Sequence, residues 1–371
     1  MSRLLRRLLP AVAGMALVPY RGPEAQQGSA NPAFLVGVVS EAADRVTWLR
    51  HSADGLAVDR VVPVGVMPAD NDGPHNIAVA PDGGSYYVTI AHGTPFGQLW
   101  KLDAATDAVL GRAQTELFPT TIALTPDGQY AFVANSDFHG DHPRENLVTV
   151  VHTATMRKIT DLPACGMPHG VKANRAGTRI YVSCMHSDEI LELDVGTLAL
   201  RRRAPAGAAQ ASSGHASSGH GGCSPTFVTV SPDDRRLYVA CNQSNTLQVW
   251  DAARLRRLAE IPVGKGAYNV EPSPDGALVL VTNKKDRSVS VVDGKAFTEI
   301  ARVPTSKPVV HGIAFSPDGR VAYISCESVG TDPGAVDAID LTTRKVVASI
   351  PVAGQPTGIA VHAAPTPSTT H

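Results

Sequence analysis

The chain has 371 residues, of which 43% are hydrophobic, and its formal net charge is −1 with no long basic run. This length exceeds that of one ordinary globular core, so it predicts several domains or one large repeat fold. The balanced charge gives no electrostatic support for a nucleic-acid partner or for binding to an anionic membrane surface.

The first 27 residues have the features of a secretory signal. Arg3, Arg6 and Arg7 precede an apolar run at residues 8–18, which is typical of a short basic region followed by a hydrophobic region. The run is too short to cross a bilayer. We therefore predict a signal peptide over residues 1–27, a periplasmic or secreted protein, and no membrane span after signal removal. Such a compartment permits disulfides.

Most of the remaining chain is an internal repeat. Five segments share a turn-like tail, and a sixth keeps the pattern without its aspartate: NIAVAPDG, TIALTPDG, VTVSPDD, VEPSPDG, GIAFSPDG and GVKANRAG. Each unit has four runs rich in β-branched and aromatic residues, separated by turn residues. A unit of about 40–50 residues with four strands predicts one blade of a β-propeller.

The two ends of the repeat region are complementary. Residues 34–65 contain second, third and fourth strands without a first, and QPTGIAVHAA near the C-terminus has the pattern of an isolated first strand. Pairing them would complete one blade and remove exposed sheet edges. We therefore predict an all-β, seven-bladed propeller over residues 28–363, with four antiparallel strands per blade, followed by a disordered tail at 364–371.

Two loops along the chain carry additional metal-capable side chains. NSDFHGDHPRE at 135–145 contains His139 and His142, and SSGHASSGHGGC at 212–223 contains His215, His220 and Cys223. The second loop is either a flexible metal-capturing segment or a disordered insertion.

The repeat aligns the blades position by position. The residue seven places before each PDG aspartate opens the innermost strand, at the mouth of the central channel. These residues are His75, Thr120, His169, Thr226, Tyr268, His311 and, by extension, Thr357. The residue fifteen places further on ends the second strand, which is the close antiparallel neighbour of the innermost strand. His169 is thus predicted beside Cys184, and His311 beside Cys326.

The aligned histidines predict a metal site on this face. His75, His169 and His311 come from three blades spread around the ring, so their imidazoles would converge on the axis. Imidazole suits copper, zinc, iron and nickel, and added thiolate favours copper or zinc. Further candidate ligands in adjacent loops and strand ends are His92, His186 and Cys326. The alternative is that each histidine only hydrogen-bonds a neighbouring loop.

The cysteines have a second explanation. Cys165 and Cys184 are 19 residues apart, and Cys223 and Cys241 are 18 apart; each pair would join two loops of one blade. In an exported chain both pairs are plausible disulfides, with Cys326 as the odd thiol. A bonded Cys184 would be excluded as a thiolate ligand.

Two charged residues occupy a position that is otherwise small. Four places before the PDG aspartate, Lys172 and Glu271 replace alanine or threonine, and the flanking residues are apolar. The pair is therefore expected to face the channel, with Tyr268 above it. An acid–base catalytic role for Tyr268, Glu271 and Lys172 is one interpretation, and mutual ion pairing is the other.

Several blades resemble the YVTN-repeat β-propeller family. KPVVHGIAFSPDGRVAYISC follows the family pattern, and LVTN at 280–283 and FVAN at 132–135 are close to its signature. Relatives in this family include lactonase-like enzymes, cytochrome d1-like haem domains and binding proteins. The resemblance implies the fold and leaves the function open.

Three functional hypotheses follow. The first is a copper- or zinc-binding protein, either a metalloenzyme or a metal carrier. The second is a lactonase-like hydrolase or lyase that uses the same face for a small molecule, and the third is a non-catalytic scaffold for a protein partner. The chain has no CxxCH motif for covalent haem and no P-loop, so we expect neither haem nor a nucleotide. It also has no GxSxG nucleophile elbow.

Overall fold

A computed structural model describes residues 33–66, 70–92, 96–137, 146–207, 222–329 and 332–363. These residues form strands β1–β28 and one short 3₁₀ helix, Glu41–Ala43. No helix in the described part of the chain is long and apolar enough to span a membrane. The predicted signal peptide and C-terminal tail lie outside the described residues.

Six blades are each built from four consecutive strands. Blade 1 contains β4 (Pro74–Val79), β5 (Ser85–Ile90), β6 (Gln98–Asp103) and β7 (Val109–Gln114). Blade 2 contains β8 (Pro119–Leu124), β9 (Tyr130–Asn135), β10 (Leu147–His152) and β11 (Arg157–Pro163). Blade 3 contains β12 (Pro168–Ala173), β13 (Arg179–Cys184), β14 (Glu189–Asp194) and β15 (Ala199–Pro205).

The next three blades repeat this order. Blade 4 contains β16 (Pro225–Val230), β17 (Arg236–Cys241), β18 (Thr246–Asp251) and β19 (Arg256–Pro262). Blade 5 contains β20 (Ala267–Pro272), β21 (Leu278–Asn283), β22 (Ser288–Asp293) and β23 (Glu299–Pro304). Blade 6 contains β24 (Val309–Phe315), β25 (Val321–Glu327), β26 (Pro333–Asp340) and β27 (Lys345–Gly354).

The seventh blade joins the two ends of the propeller. Its strand order is β28 (Pro356–Ala363), β1 (Phe34–Ser40), β2 (Arg45–Ser52) and β3 (Gly55–Pro63). β1 and β28 are antiparallel, with Phe34 opposite Ala363 and Val38 opposite Ile359. The predicted all-β fold with seven four-stranded blades, closed by the C-terminal innermost strand, is therefore confirmed.

The repeated PDG tail is a tight turn between the first and second strands of a blade. In three blades a serine hydroxyl bonds the turn aspartate at 2.6 Å, as Ser316 does with Asp318. The glycine that follows Asp318, Gly319, has φ +70°, a region that residues with a side chain rarely adopt. This local geometry explains why the motif recurs at most of these turns.

The hydrophobic core lies between neighbouring blades. Phe132 and Val148 of blade 2 share one cluster with Val182 and Leu191 of blade 3, and all four are fully buried. Equivalent clusters fill the other junctions. Because the apolar side chains pack between the faces of adjacent sheets, the innermost strands are free to present polar residues to the channel.

Candidate functional site

A β-bulge in the innermost strands positions the aligned histidines. In blade 3, Pro168 pairs with Cys184 and Val171 with Val182, so β12 has one extra residue between these pairs. Ser183 opposite the bulge accepts the Gly170 N–H at 2.9 Å and donates to the Thr226 carbonyl of blade 4. Thr282 in blade 5 and Ser325 in blade 6 make the same two bonds, so in three blades a strand hydroxyl links the bulge to the next blade.

The bulge changes the predicted neighbours by one residue. Cys184 lies opposite Pro168 rather than His169, and Cys326 lies opposite Val310 rather than His311. An extra residue interrupts the alternation of side chains along a strand. His311 consequently lies in the channel, whereas Cys326 packs in the apolar cluster between blades 5 and 6.

Three histidines and a tyrosine form a buried layer across the channel. The ring of His75 lies 5.5 Å from that of His311 and 6.4 Å from that of His169, between centroids. Tyr268 lies 4.6 Å from His311 and 5.4 Å from His169. All four contacts are edge-on, and the four residues are at most 8% exposed. The predicted convergence of His75, His169 and His311 on the axis is therefore seen.

His169 is held at both ring nitrogens. Nδ1 lies 2.9 Å from the Thr226 carbonyl, which can only accept, so Nδ1 carries the proton. Nε2 therefore accepts the hydroxyl of Tyr268 at 3.1 Å. Burial, with a contribution from the nearby charge of His75, lowers the pKa of His169 to about 3. Burial also raises the pKa of Tyr268 well above its ordinary value, so both groups are neutral.

His311 is the unpartnered member of the layer. It is 2% exposed, and neither ring nitrogen has a hydrogen-bond partner among the described residues. Glu327 Oε1 is 4.0 Å from Nε2, beyond hydrogen-bonding distance. Burial, assisted by the charge of Lys284, lowers the pKa of His311 well below its ordinary value. The ring is therefore neutral, with a proton on one nitrogen and a lone pair on the other.

Glu41 connects His75 of the layer to one further histidine, His92, on the loop side. It lies in the 3₁₀ helix after β1, with one oxygen 2.7 Å from His75 Nδ1 and the other 3.2 Å from His92 Nε2. Burial alone would raise the pKa of Glu41, but the charge and hydrogen bond of His75, with those of His92, hold it well below its ordinary value. The Glu41 hydrogen bond in turn raises the pKa of His92.

Lys284 and Glu327 form a second charged pair beside the layer. Lys284 Nζ lies 3.1 Å from Glu327 Oε1 and 4.3 Å from the centre of the Tyr268 ring. Burial raises the pKa of Glu327, and the charge of Lys284 opposes this effect. The lysine side chain is 30% exposed and the glutamate 10%, so the cation lies at the more open end of the pair.

These side chains line a cavity of about 300 Å³, called here the loop-side cavity. It is lined by Glu41, His75, His92, Phe118, His169, Tyr268, Lys284, His311, Glu327, Gln355 and Thr357. Of the predicted metal ligands, it contains His75, His169, His311 and His92. His186 instead lies on an exposed loop, and the four histidines at 139, 142, 215 and 220 are outside the described residues.

The predicted disulfides are both present. Cys165 is bonded to Cys184, and Cys223 to Cys241. Cys326 is the one free thiol, as expected for the five cysteines of the chain. Its sulfur lies 3.6 Å from Asp337 Oδ2, and burial raises its pKa well above the ordinary value. It is therefore a neutral thiol turned away from the loop-side cavity.

A second cavity of about 500 Å³ occupies the PDG-turn end of the channel, called here the turn-side cavity. Lys172 and Glu271 face each other across it, with Nζ 2.8 Å and 3.1 Å from the two carboxylate oxygens. The predicted ion pair is therefore formed. Tyr268, the other residue considered for catalysis, lines the loop-side cavity. His311 lines both cavities and lies between them.

The sequence reasoning missed three charged residues of the loop-side cavity. Lys284 and Glu327 lie sixteen places after the aligned channel residues Tyr268 and His311, and Glu41 follows Ser40, which ends the second strand of the closing blade. Regular pairing without a bulge pointed instead to the residue fifteen places on, at the end of the second strand. Allowing for one bulge residue would have found all three from the repeat alone.

The C-terminal part of the chain matches a known protein family. Residues 274–364 match the family described as the cytochrome D1 heme domain, and this segment includes His311 and Glu327. A dihydro-heme d1 dehydrogenase of Pseudomonas aeruginosa is 37% identical over 73 residues, which are 20% of this chain and 14% of that protein. The match therefore spans only a small part of that relative's length.

Solved propellers resemble the whole described fold. Periplasmic gluconolactonase PpgL of Pseudomonas aeruginosa has a TM-score of 0.72 and 20% identity, covering 90% of this chain and 100% of that one. The predicted resemblance is confirmed. Dihydro-heme d1 dehydrogenase NirN in complex with DHE has a TM-score of 0.59 and 17% identity, covering 91% of this chain and 77% of that one. At these identities the likeness shows the fold alone.

The prediction of copper or zinc without haem is wrong. The matching family is a haem domain, and the described residues contain no group of three or more His, Cys, Asp or Glu arranged to hold a metal ion. The physical reason is visible in the layer. The edge-on histidine rings are 5.5–6.4 Å apart, and His169 uses both nitrogens in hydrogen bonds. Cys326 lies outside the cavity.

Proposed function

We propose that this protein binds a haem-type group at the loop-side cavity. The observation that carries the proposal is His311, a buried neutral imidazole whose two nitrogens have no hydrogen-bond partner in the part of the chain that the structure describes. It lies within the segment that matches the cytochrome d1 haem domain family. A buried polar group without a partner is costly, and its retention at a channel mouth is explained if a ligand satisfies it.

The residues of the cavity fit such a group. Haem iron is commonly held by imidazole, and polar groups around the distal side determine what the bound group does. His311 and His75 Nε2, also buried and unpartnered among the described residues, would supply nitrogen donors. Lys284 at the open end would pair with a carboxylate of the group. When bound, the group would supply redox or ligand-binding chemistry at its iron.

The cavity volume limits how much of the group is enclosed. About 300 Å³ is at the lower end of the range for ligand pockets, so the cavity would receive one part of a macrocycle rather than all of it. Tyr268 and His169 would then act as a rigid wall, since their hydrogen bond fixes both side chains. Export is part of the proposal, and the two disulfides support it.

An absorbance titration tests this proposal. Iron protoporphyrin, and separately a d1-type macrocycle, are added to the purified protein while the Soret band is followed. We expect saturable binding that weakens at least tenfold in H311A. The matched control is H152A, because His152 is a half-buried residue of β10 that does not line the loop-side cavity and that bonds Thr155. A wild-type chain that leaves both spectra unchanged, or equal affinities of H311A and H152A, would refute the proposal.

A hydrolytic function is the second candidate, favoured by the Glu41–His75 pair. The buried carboxylate lies 2.7 Å from Nδ1, and the opposite nitrogen of His75 has no partner among the residues that the structure describes. A carboxylate that orients an imidazole is the arrangement of a general base. Turnover of lactones by the wild-type chain, lost in H75A and reduced in E41Q, would support this function. Equal rates with H152A and H75A would exclude His75 as the base.

A further inference from the structure

The turn-side cavity has two chemically different walls. The position four before each PDG aspartate forms one ring around the channel, in which Lys172, Thr229 and Glu271 are polar and lie on three successive blades. On the remaining arc Ala78, Ala314 and Ala360 line the cavity. The small alanines leave open space opposite the charged groups, and this gives the cavity its amphipathic character.

The ion pair is available to a ligand. Lys172 is 40% exposed and Glu271 27%, and a pair with this access to solvent contributes little to stability. Both side chains reach across the channel over Thr229, whose hydroxyl donates to Glu271 at 3.2 Å. The contact therefore connects blades 3 and 5 without filling the space between them.

The inner end of the cavity supplies a second observation. His311 lines this end of the cavity and is only 2% exposed. Neither of its ring nitrogens has a partner among the described residues. The amides of Asn76 and Asn269 line the same end. The cavity therefore offers hydrogen-bonding groups along its depth, from the imidazole layer to the ion pair.

We propose that the turn-side cavity binds small hydroxycarboxylates. Among its lining residues Lys172 and Arg175 are cationic and Glu271 is anionic, so the charge balance favours a monoanion. The carboxylate would bind Lys172, and hydroxyl groups would donate to Glu271 and exchange hydrogen bonds with Asn269. The carbon chain would pack on the alanine arc. This site goes beyond the proposed haem-type function and lies on the other side of the imidazole layer.

Isothermal titration calorimetry with three related solutes tests the proposal. Threonate has the carboxylate and the hydroxyls, butanoate lacks the hydroxyls, and threitol lacks the carboxylate. We expect threonate to bind most tightly and its affinity to fall at least tenfold in K172M. The matched control is K158M, because Lys158 is a half-exposed lysine paired with Glu116 and Asp161 on an outer strand. K158M should bind threonate like the wild type.

A second variant separates the roles of the two charges. E271Q should bind butanoate at least as tightly as the wild type, because the carboxylate that competes for Lys172 is gone. It should lose the preference for threonate, because the charged acceptor for the hydroxyls is gone. Absence of threonate binding in the wild type, equal affinities of K172M and K158M, or an unchanged preference in E271Q would each overturn the proposal. Unfolding midpoints equal to that of the wild type verify that the variants fold. K172M should bind iron protoporphyrin normally, so the two proposals fail separately.

Discussion

Replacing His311 with leucine should stabilise the protein. The imidazole is buried with both nitrogens unpartnered among the described residues, and an unsatisfied buried polar group costs about 1–3 kcal/mol. Leucine has no polar atoms to desolvate and would pack against the Tyr268 ring, now 4.6 Å from the imidazole between centroids. We therefore expect H311L to raise the free energy of unfolding by about 1–2 kcal/mol.

The same substitution at His169 should have the opposite sign. His169 is equally buried and occupies the equivalent blade position, but its nitrogens bond the Thr226 carbonyl and the Tyr268 hydroxyl. The carbonyl keeps its bond from Ser183, whereas the tyrosine hydroxyl loses its partner. H169L should therefore lower the free energy of unfolding by about 1–3 kcal/mol.

Urea denaturation followed by tryptophan fluorescence measures both changes on one scale, because the shift of the midpoint at constant slope reports stability. The reasoning is refuted if H311L and H169L destabilise the protein by similar amounts. It is also refuted if H311L stabilises the protein and binds iron protoporphyrin as tightly as the wild type, since the proposed function explains why an unpartnered histidine is kept. A gain in stability at the expense of binding is the expected outcome.

Three further results are expected. The pKa of Glu41 is depressed in the folded state, so its carboxylate stabilises the protein at pH values above its ordinary pKa of 4.5, and this stabilisation is lost as the pH falls below 4.5. The urea midpoint of E41Q should therefore fall less steeply in acid than that of the wild type. Parallel curves for the two proteins would contradict this. The pKa of His169 is about 3 in the folded state against 6.5 in the unfolded state. Below pH 6.5 the unfolded state therefore takes up the proton first, and this group lowers the free energy of unfolding by about 1.4 kcal/mol per pH unit. An NMR titration of the imidazole with a midpoint near 6.5 would contradict this expectation. Thiol titration in denaturant should detect Cys326 alone before reduction and all five cysteines afterwards. More than one thiol before reduction would disprove the pairing. Removing the Cys165–Cys184 bridge, which closes a loop of 19 residues, should lower the free energy of unfolding by about 3 kcal/mol.

The architecture was predictable because the repeat encodes it several times. The PDG turns, four-strand periodicity and complementary ends each indicate the same closed ring, and every one is a local pattern read by counting along the sequence. The disulfides were predictable for a related reason: each pair lies at equivalent loop positions of one blade. Both features could be predicted because they repeat from blade to blade.

The chemistry of the site was predictable only in part. The alignment of blades placed His75, His169 and His311 together, but it treated their rings as free ligands. Whether a ring nitrogen is free depends on its neighbours. His169 bonds the Thr226 carbonyl of the next blade, and His75 bonds Glu41, which follows β1 in the closing blade. Such contacts join residues distant in sequence, and a single unpaired bulge residue also shifted Cys326 out of the channel.

The closing blade has a consequence for how the chain folds. β1 cannot complete its sheet until β28 arrives, and the register that joins them sets Phe34 opposite Ala363. The central blades, whose strands are consecutive, can pair as soon as they are made, but the ring stays an open arc until the last strand is available. Pairing of such distant segments is slow because a very long loop must close first. We expect the final step of folding to be this closure, with the Glu41–His75 contact and the complete loop-side cavity forming only then.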